Sequence, residues 1–174
     1  MTTAIIGTGG IGSAIARQLA AGGDAVVLAL RFSVLKDVID EIADALGDKS
    51  LVIPSNPVGL DAQGKVVRLL PEGQSSGQII AGWLPIRTRF AIAFGTMSAD
   101  LFESSSHRSP EPAVLFYVSE DEHESDEVEH LIRTAGFEPV RIGGVEQSSR
   151  LEVGGDLHDL VVGLAEARTL VAGA

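Results

Sequence analysis

Short apolar runs alternate with helical patterns along this chain, the rhythm of an α/β sheet. Residues 3–6 predict a first strand, residues 7–12 a tight turn, and residues 11–21 a helix with Ile11, Ile15, Ala16 and Leu19 on one face. Gly22 and Gly23 end that pattern. Residues 25–30 are continuously apolar, as expected for a strand whose parallel sheet is covered by helices on both faces. A helix follows with Ser33 as its expected N-cap, its apolar positions Val34, Leu35, Val38, Ile39, Ile42 and Leu46 recurring at helical spacing until Gly47. Residues 51–53 read as a third strand, and residues 55–77 form the longest segment without clear periodicity. Beyond it the pattern predicts a short helix over 78–84, a strand over 89–94 and a polar loop over 103–112. A strand over 113–118, a helix over 122–135 and a strand over 138–142 follow, with a terminal helix over 157–170. The fold class expected is a Rossmann-like, doubly wound, mostly parallel sheet with helices on both faces.

Composition narrows the class. The chain has 174 residues, 45% of them hydrophobic, enough to build the core of a single domain spanning residues 1–174. It contains no cysteine, which excludes a disulfide framework, a thiolate metal site and a cysteine nucleophile. Its longest wholly apolar run, residues 112–118, falls far short of the roughly 20 residues a membrane-crossing helix needs. Residues 1–20 lack the basic start of a secretory signal, so a cytoplasmic location is expected.

The net charge of -11 is uneven: residues 88–174 hold 6 arginines against 16 acids, which argues against nucleic acid as a partner. Seven acids lie between Glu120 and Glu129. Ser119 followed by Glu122 matches a capping box, and acids in a first helical turn favour the helix dipole. His123, Glu127 and His130 share a helical face and could in principle hold a metal; the solvated-face explanation is preferred, and no metal is expected.

The chemistry is concentrated in Gly7-Thr8-Gly9-Gly10-Ile11-Gly12, a G-x-G-x-x-G between a predicted strand and a predicted helix. Its first glycine permits the sharp turn, its second lets backbone approach a pyrophosphate, and its third lets helix and strand pack closely. Backbone N–H groups at the helix start would meet the anion. An NAD-selective unit usually carries an acid at the end of its second strand, but here Leu30 and Arg31 follow the apolar run. Arg31 either meets a 2'-phosphate, favouring NADP, or is an arginine on a surface loop. Gly73-Gln74-Ser75-Ser76-Gly77 spells a nucleophile elbow, yet Pro71 and Glu72 interrupt the strand that such an elbow needs. Asp156, His158 and Asp159 could serve acid–base chemistry, although a helix N-terminus would explain both aspartates.

Several segments together resemble the NADP oxidoreductase, coenzyme F420-dependent family. They are residues 4–12, the run 25–30, Ser55-Asn56-Pro57, Gln74-Ser75-Ser76-Gly77, Ala93-Phe94-Gly95-Thr96 and Ser149-Arg150-Leu151-Glu152-Val153. A more distant similarity extends to the reductase domain of STEAP metalloreductases. The resemblance implies hydride transfer between the nicotinamide of NADP(H) and a deazaflavin such as coenzyme F420, or another flavin-like small-molecule acceptor, with no catalytic side chain required. Carried over by position, Gly7, Thr8, Gly9, Gly10, Ile11 and Gly12 would hold the pyrophosphate, Leu30 and Arg31 would lie beside the cofactor, and Asn56, Pro57 and Ala93 would line the nicotinamide end. The 55–77 segment and the region around Arg150 would face the acceptor, with residues from about 143 to 174 as a small extension on that side. A homodimer through the terminal helix is the expected assembly. Two departures stand out. Gly95 replaces the asparagine or histidine of many relatives, and the family pattern makes residues 25–30 its fourth strand, so that roughly 30 to 40 residues are absent around Gly22-Gly23-Asp24. The ribose-reading strand would be among them, and Arg31 would then not select NADP. A non-catalytic dinucleotide sensor or scaffold, and a flavin or ferric reductase, are the alternatives.

Overall fold

The computed structural model describes residues 4–7, 25–46, 50–86, 88–120 and 122–173. Eight strands occur among them: β1 (Ala4–Ile6), β2 (Ala25–Leu28), β3 (Ser50–Ile53), β4 (Val58–Leu60), β5 (Val66–Arg68), β6 (Arg89–Ile92), β7 (Val114–Ser119) and β8 (Glu138–Arg141). The helices are α1 (Phe32–Leu46), α2 (Ser76–Ala81), α3 (Ala99–Ser105), α4 (Glu122–Thr134) and α5 (Leu164–Ala172), with a 3-10 turn over Val145–Arg150. Six strands form one sheet in the order β1-β2-β3-β6-β7-β8. The pairs from β1 to β6 are parallel, β6 meets β7 antiparallel, and β7 and β8 are again parallel. This is the mostly parallel, helix-flanked sheet that the alternating pattern predicts.

Strand side chains alternate between faces, and here both faces are dry. Val52, Ala91, Leu115 and Tyr117 point into one cluster with Phe102 of α3 and Val128, Leu131 and Ile132 of α4. Their neighbours Leu51, Ile53, Phe90, Ile92, Val114 and Phe116 point the other way, against Leu35 and Ile39 of α1 and Ile80 of α2. The continuous apolar runs thus reflect two cores separated by one sheet.

Tyr117 places the one phenol of the chain in that interior, where it donates to Glu129 Oε1 at 2.8 Å. Burial, assisted by Glu129, pushes its ionisation well above the usual range. In the unfolded chain the phenol ionises near pH 10. Its contribution to stability is therefore intact below about pH 10 and is lost as pH rises through the higher folded value. Tyrosinate absorbance should appear only as the fold is lost in alkali, and Tyr117→Phe should remove that signal. A native-state titration near pH 10 would show instead that the hydroxyl is solvated.

Several boundaries differ from the sequence expectation. The predicted helix over 11–21 lies outside the described residues. Ser33 is not the N-cap: α1 already begins at Phe32, with Val34 N donating to Arg31 O. The aperiodic 55–77 segment contains the β4–β5 hairpin, whose turn is fixed by Asp61 Oδ1 accepting from Gln63 N and Lys65 N, both at 2.9 Å. The polar stretch at 103 is the end of α3, which Ser98 caps and Phe102 anchors in the core. Ser119 ends β7, and the expected cap at the start of α4 involves residues outside those described. The terminal helix is α5, much shorter than 157–170, because Val162 O accepts from Val114 N in extended structure and Gly163 occupies the N-cap. Among the described residues no helix is long and apolar enough to cross a membrane.

Candidate functional site

Because β1, β2, β3 and β6 run parallel, the segments leaving them emerge at one edge of the sheet. Open α/β sheets bind ligands at such carboxyl ends. Gly7 leaves β1, residues 29–31 leave β2, residues 54–57 leave β3 and residues 93–96 leave β6. Gly7 has φ +111°, and a Cβ there would overlap the Ala29 carbonyl oxygen. The first and second strand exits are in close contact at this point, which only glycine allows. Gly95 is similarly required: its missing side chain admits the Pro54 carbonyl. The absence of asparagine or histidine at this position therefore has a packing cause.

Side chains tie the exits together. Ser55 Oγ donates to Leu30 O at 2.7 Å, joining the β2 and β3 exits. Asn56 Nδ2 donates to Gly95 O at 2.7 Å, while Asn56 Oδ1 accepts from Val153 N at 2.8 Å. Both ends of this amide are engaged, so Asn56 braces three loops. Asn56→Ala should cost about 2 kcal/mol by removing two hydrogen bonds. Asn56→Asp keeps the acceptor for Val153 N but sets an oxygen against the Gly95 carbonyl, so it should remain well below wild type; urea unfolding measures both, and a wild-type midpoint for either would contradict the brace.

Two spaces open at this edge. A cleft of about 230 Å³ is lined by Leu30, Arg31, Phe32, Ser55, Asn56 and Val58 among others. A smaller cavity of about 10 Å³, the room of a single water, lies among Asn56, Ala93, Gly95, Thr96 and Glu152. Thr96 Oγ1 is buried without a hydrogen-bond partner among the described residues. Beneath the loops, Glu152 is a buried carboxylate. Its Oε1 accepts from Ser76 N at 2.6 Å and from Ser148 Oγ at 3.3 Å, and its Oε2 pairs with Arg68 Nη1 at 2.6 Å. The hairpin, the start of α2 and the 3-10 turn are thereby joined behind the cleft.

Of the residues expected from sequence, Gly7, Leu30, Arg31, Asn56, Pro57 and Ala93 all stand at this edge. Thr8, Gly9, Gly10, Ile11 and Gly12 lie outside the described residues. Pro57 is buried, and its carbonyl accepts from Leu69 N at 2.7 Å, closing the base of the hairpin. Arg150 makes a two-pronged pair with Asp156, reaching 2.7 Å, which keeps the Asp156 carboxyl below its usual range. Asp156 and Asp159 lie in turns, not at a helix N-terminus. Ser75 caps α2 by accepting from Gln78 N, with no strand leading into it, so the elbow-like string builds a helix start. Among the described residues no group of three or more metal-ligating side chains converges. Ser55, Arg68, Thr96 and Glu152 enter the sequence expectation only as members of longer segments, without the individual roles the structure gives them. Arg68 and Glu152 lie 84 positions apart, a separation no local pattern reveals.

The architecture defines a class of fold, the Rossmann-like, mostly parallel α/β domain. Solved structures share it. A hypothetical protein from Sinorhizobium meliloti superposes with a TM-score of 0.79 at 23% identity, covering 94% of this chain and 95% of the other. A protein from an Arthrobacter species, provisionally named an F420-dependent NADP reductase, superposes at 0.70 with 18% identity, covering 83% and 86%. Pyrroline carboxylate reductase from Plasmodium falciparum, solved with NADP bound, superposes at 0.54 with 12% identity over 81% of this chain and 56% of that one. No family profile matches the sequence, and no curated protein matches it.

Proposed function

We propose that this protein binds NADP(H) at the carboxyl edge of β1, β2, β3 and β6 and passes a hydride between its nicotinamide and a flavin-like acceptor of the deazaflavin type. The observation that carries this reading is the close approach at Gly7, where a residue without a side chain leaves β1 directly beside the β2 exit. The fit extends to the other exits: Thr96 brings to the edge a buried hydroxyl that has no partner among the described residues, and the cleft supplies Arg31 at its rim. The Arthrobacter and Plasmodium structures support the coenzyme class through their fold.

When bound, the nicotinamide supplies the hydride chemistry. The protein's part is binding, alignment and exclusion of water. Residues 7–12 would hold the diphosphate on backbone N–H groups, with Leu30 and Arg31 beside the adenosine half. Asn56, Pro57 and Ala93 would bound the nicotinamide end, with Asn56 acting on backbone rather than on the ligand. The 55–77 segment and residues 143–174 form the acceptor side in this reading. A homodimer through α5 belongs to the same proposal, Leu170 being its exposed apolar residue, and sedimentation equilibrium decides it.

A second reading has its own observation. Among the described residues β1 pairs only with β2 and so ends the sheet, whereas a complete doubly wound sheet places the ribose-reading strand on the other side of its first strand. That favours a non-catalytic dinucleotide sensor or scaffold. Stopped-flow mixing of protein and NADPH with coenzyme F420, FMN or a ferric chelate separates the readings. Oxidation of NADPH with F420 supports the proposal, and oxidation only with FMN or ferric chelate reassigns the acceptor. Saturable NADPH binding without turnover on any acceptor leaves the sensor.

A further inference from the structure

The sheet ends on its other side at β8. Glu138 N donates inward to Ala113 O at 2.9 Å and Ile142 N to Tyr117 O at 3.0 Å. Strand N–H groups alternate in direction, so positions 139 and 141 face outward, and 139 is proline. An added strand would find one outward N–H where it needs two, which disfavours peptide pairing here.

Beside this edge, between α4 and α5, lies a groove of about 460 Å³. Val140, Leu164 and Val171 give it a partly buried apolar floor. Arg133 from α4, Arg141 from β8 and Arg168 from α5 line it, with Glu138 as its one carboxylate. Half the arginines of the strongly acidic stretch 88–174 therefore converge on one groove, reversing the local sign of charge. Arg141 directs Nε and Nη2 at Ser119 O, and Arg133 directs Nη2 at Glu129 at 2.8 Å. Arg168 has no hydrogen-bond or ion-pair partner among the described residues. Guanidinium groups match carboxylates in a forked geometry, and Arg168 offers its whole fork to an incoming anion.

We propose that this groove binds a small organic carboxylate with an apolar body, at a site separate from the cleft at the carboxyl edge. An inorganic anion would leave the floor unused, and a neutral apolar molecule would leave the arginines unused. Octanoate is a suitable probe, compared with 1-octanol and inorganic phosphate by NMR titration of the full chain. Octanoate should bind saturably, shifting the signals of Val140, Leu164 and Val171, with 1-octanol and phosphate each at least about tenfold weaker. Arg168→Gln changes an exposed side chain and should weaken octanoate about tenfold at an unchanged thermal midpoint, and Arg133→Gln should act in the same direction. Absence of saturable octanoate binding, equal affinity for 1-octanol, or unchanged affinity in both variants would overturn the proposal and leave the arginines as guards of an unpaired sheet edge. None of these results depends on NADPH, so the outcome is independent of the proposed oxidoreductase activity.

Discussion

Gly7→Ala is expected to lower the unfolding free energy by about 3 kcal/mol, and the melting temperature by roughly 10 °C for a domain of this size. The cost has two sources acting at once. With φ at +111°, the backbone is in a region that side chains rarely adopt, and the new Cβ would meet the Ala29 carbonyl oxygen, a backbone atom that cannot rotate away. The chain can relieve the overlap only by separating the β1 and β2 exits, which deforms the edge where the coenzyme is proposed to bind. Thermal unfolding monitored by circular dichroism measures the first effect, and the NADPH affinity of the surviving folded protein measures the second. A variant with the wild-type midpoint would mean that the strand exits are not in the contact described.

Glu152→Ala should be of similar size, about 3 kcal/mol. The carboxylate is 2% exposed and serves three donors, so its removal leaves the Ser76 N–H and the Arg68 guanidinium without their partner. Arg68 retains about a third of its side-chain exposure and can rehydrate, which keeps the loss below that of a fully buried pair. Glu152→Gln preserves the shape and an acceptor oxygen and should cost roughly half as much. A double-mutant cycle with Arg68→Ala isolates the pair: coupling of about 1 to 2 kcal/mol is expected, and additivity of the two single changes would show that the ion pair contributes nothing.

The strands of the main sheet were legible because burial on both faces leaves unbroken apolar runs such as 25–28 and 114–118. Residues with weaker local signals were not. Three-residue strands such as β4 and β5 are too short to display a period, although Asp61 and Gly64 around the turn offered a hairpin signal. Serine-rich α3 looked like a loop because its propensity is poor and one buried phenylalanine holds it. The apolar residues before Gly163 read as helix although they serve as extended packing against β7, and the glycine itself marks the true start. Gly7, Leu30, Arg31, Asn56, Pro57 and Ala93 could be placed at the carboxyl edge by motif. Their packing roles could not: nothing local in the sequence shows that Asn56 braces the Gly95 and Val153 loops. Gly95 reads as a lost polar group and is a packing requirement.

A crystal of the protein grown with NADPH shows whether the edge formed by β1, β2, β3 and β6 is a dinucleotide site. The expected density shows the diphosphate against the backbone of residues 7–12 and the nicotinamide near Ala93, with the Asn56 brace intact. Coenzyme bound elsewhere, or the turn filled by the protein's own atoms at saturating NADPH, would contradict the account.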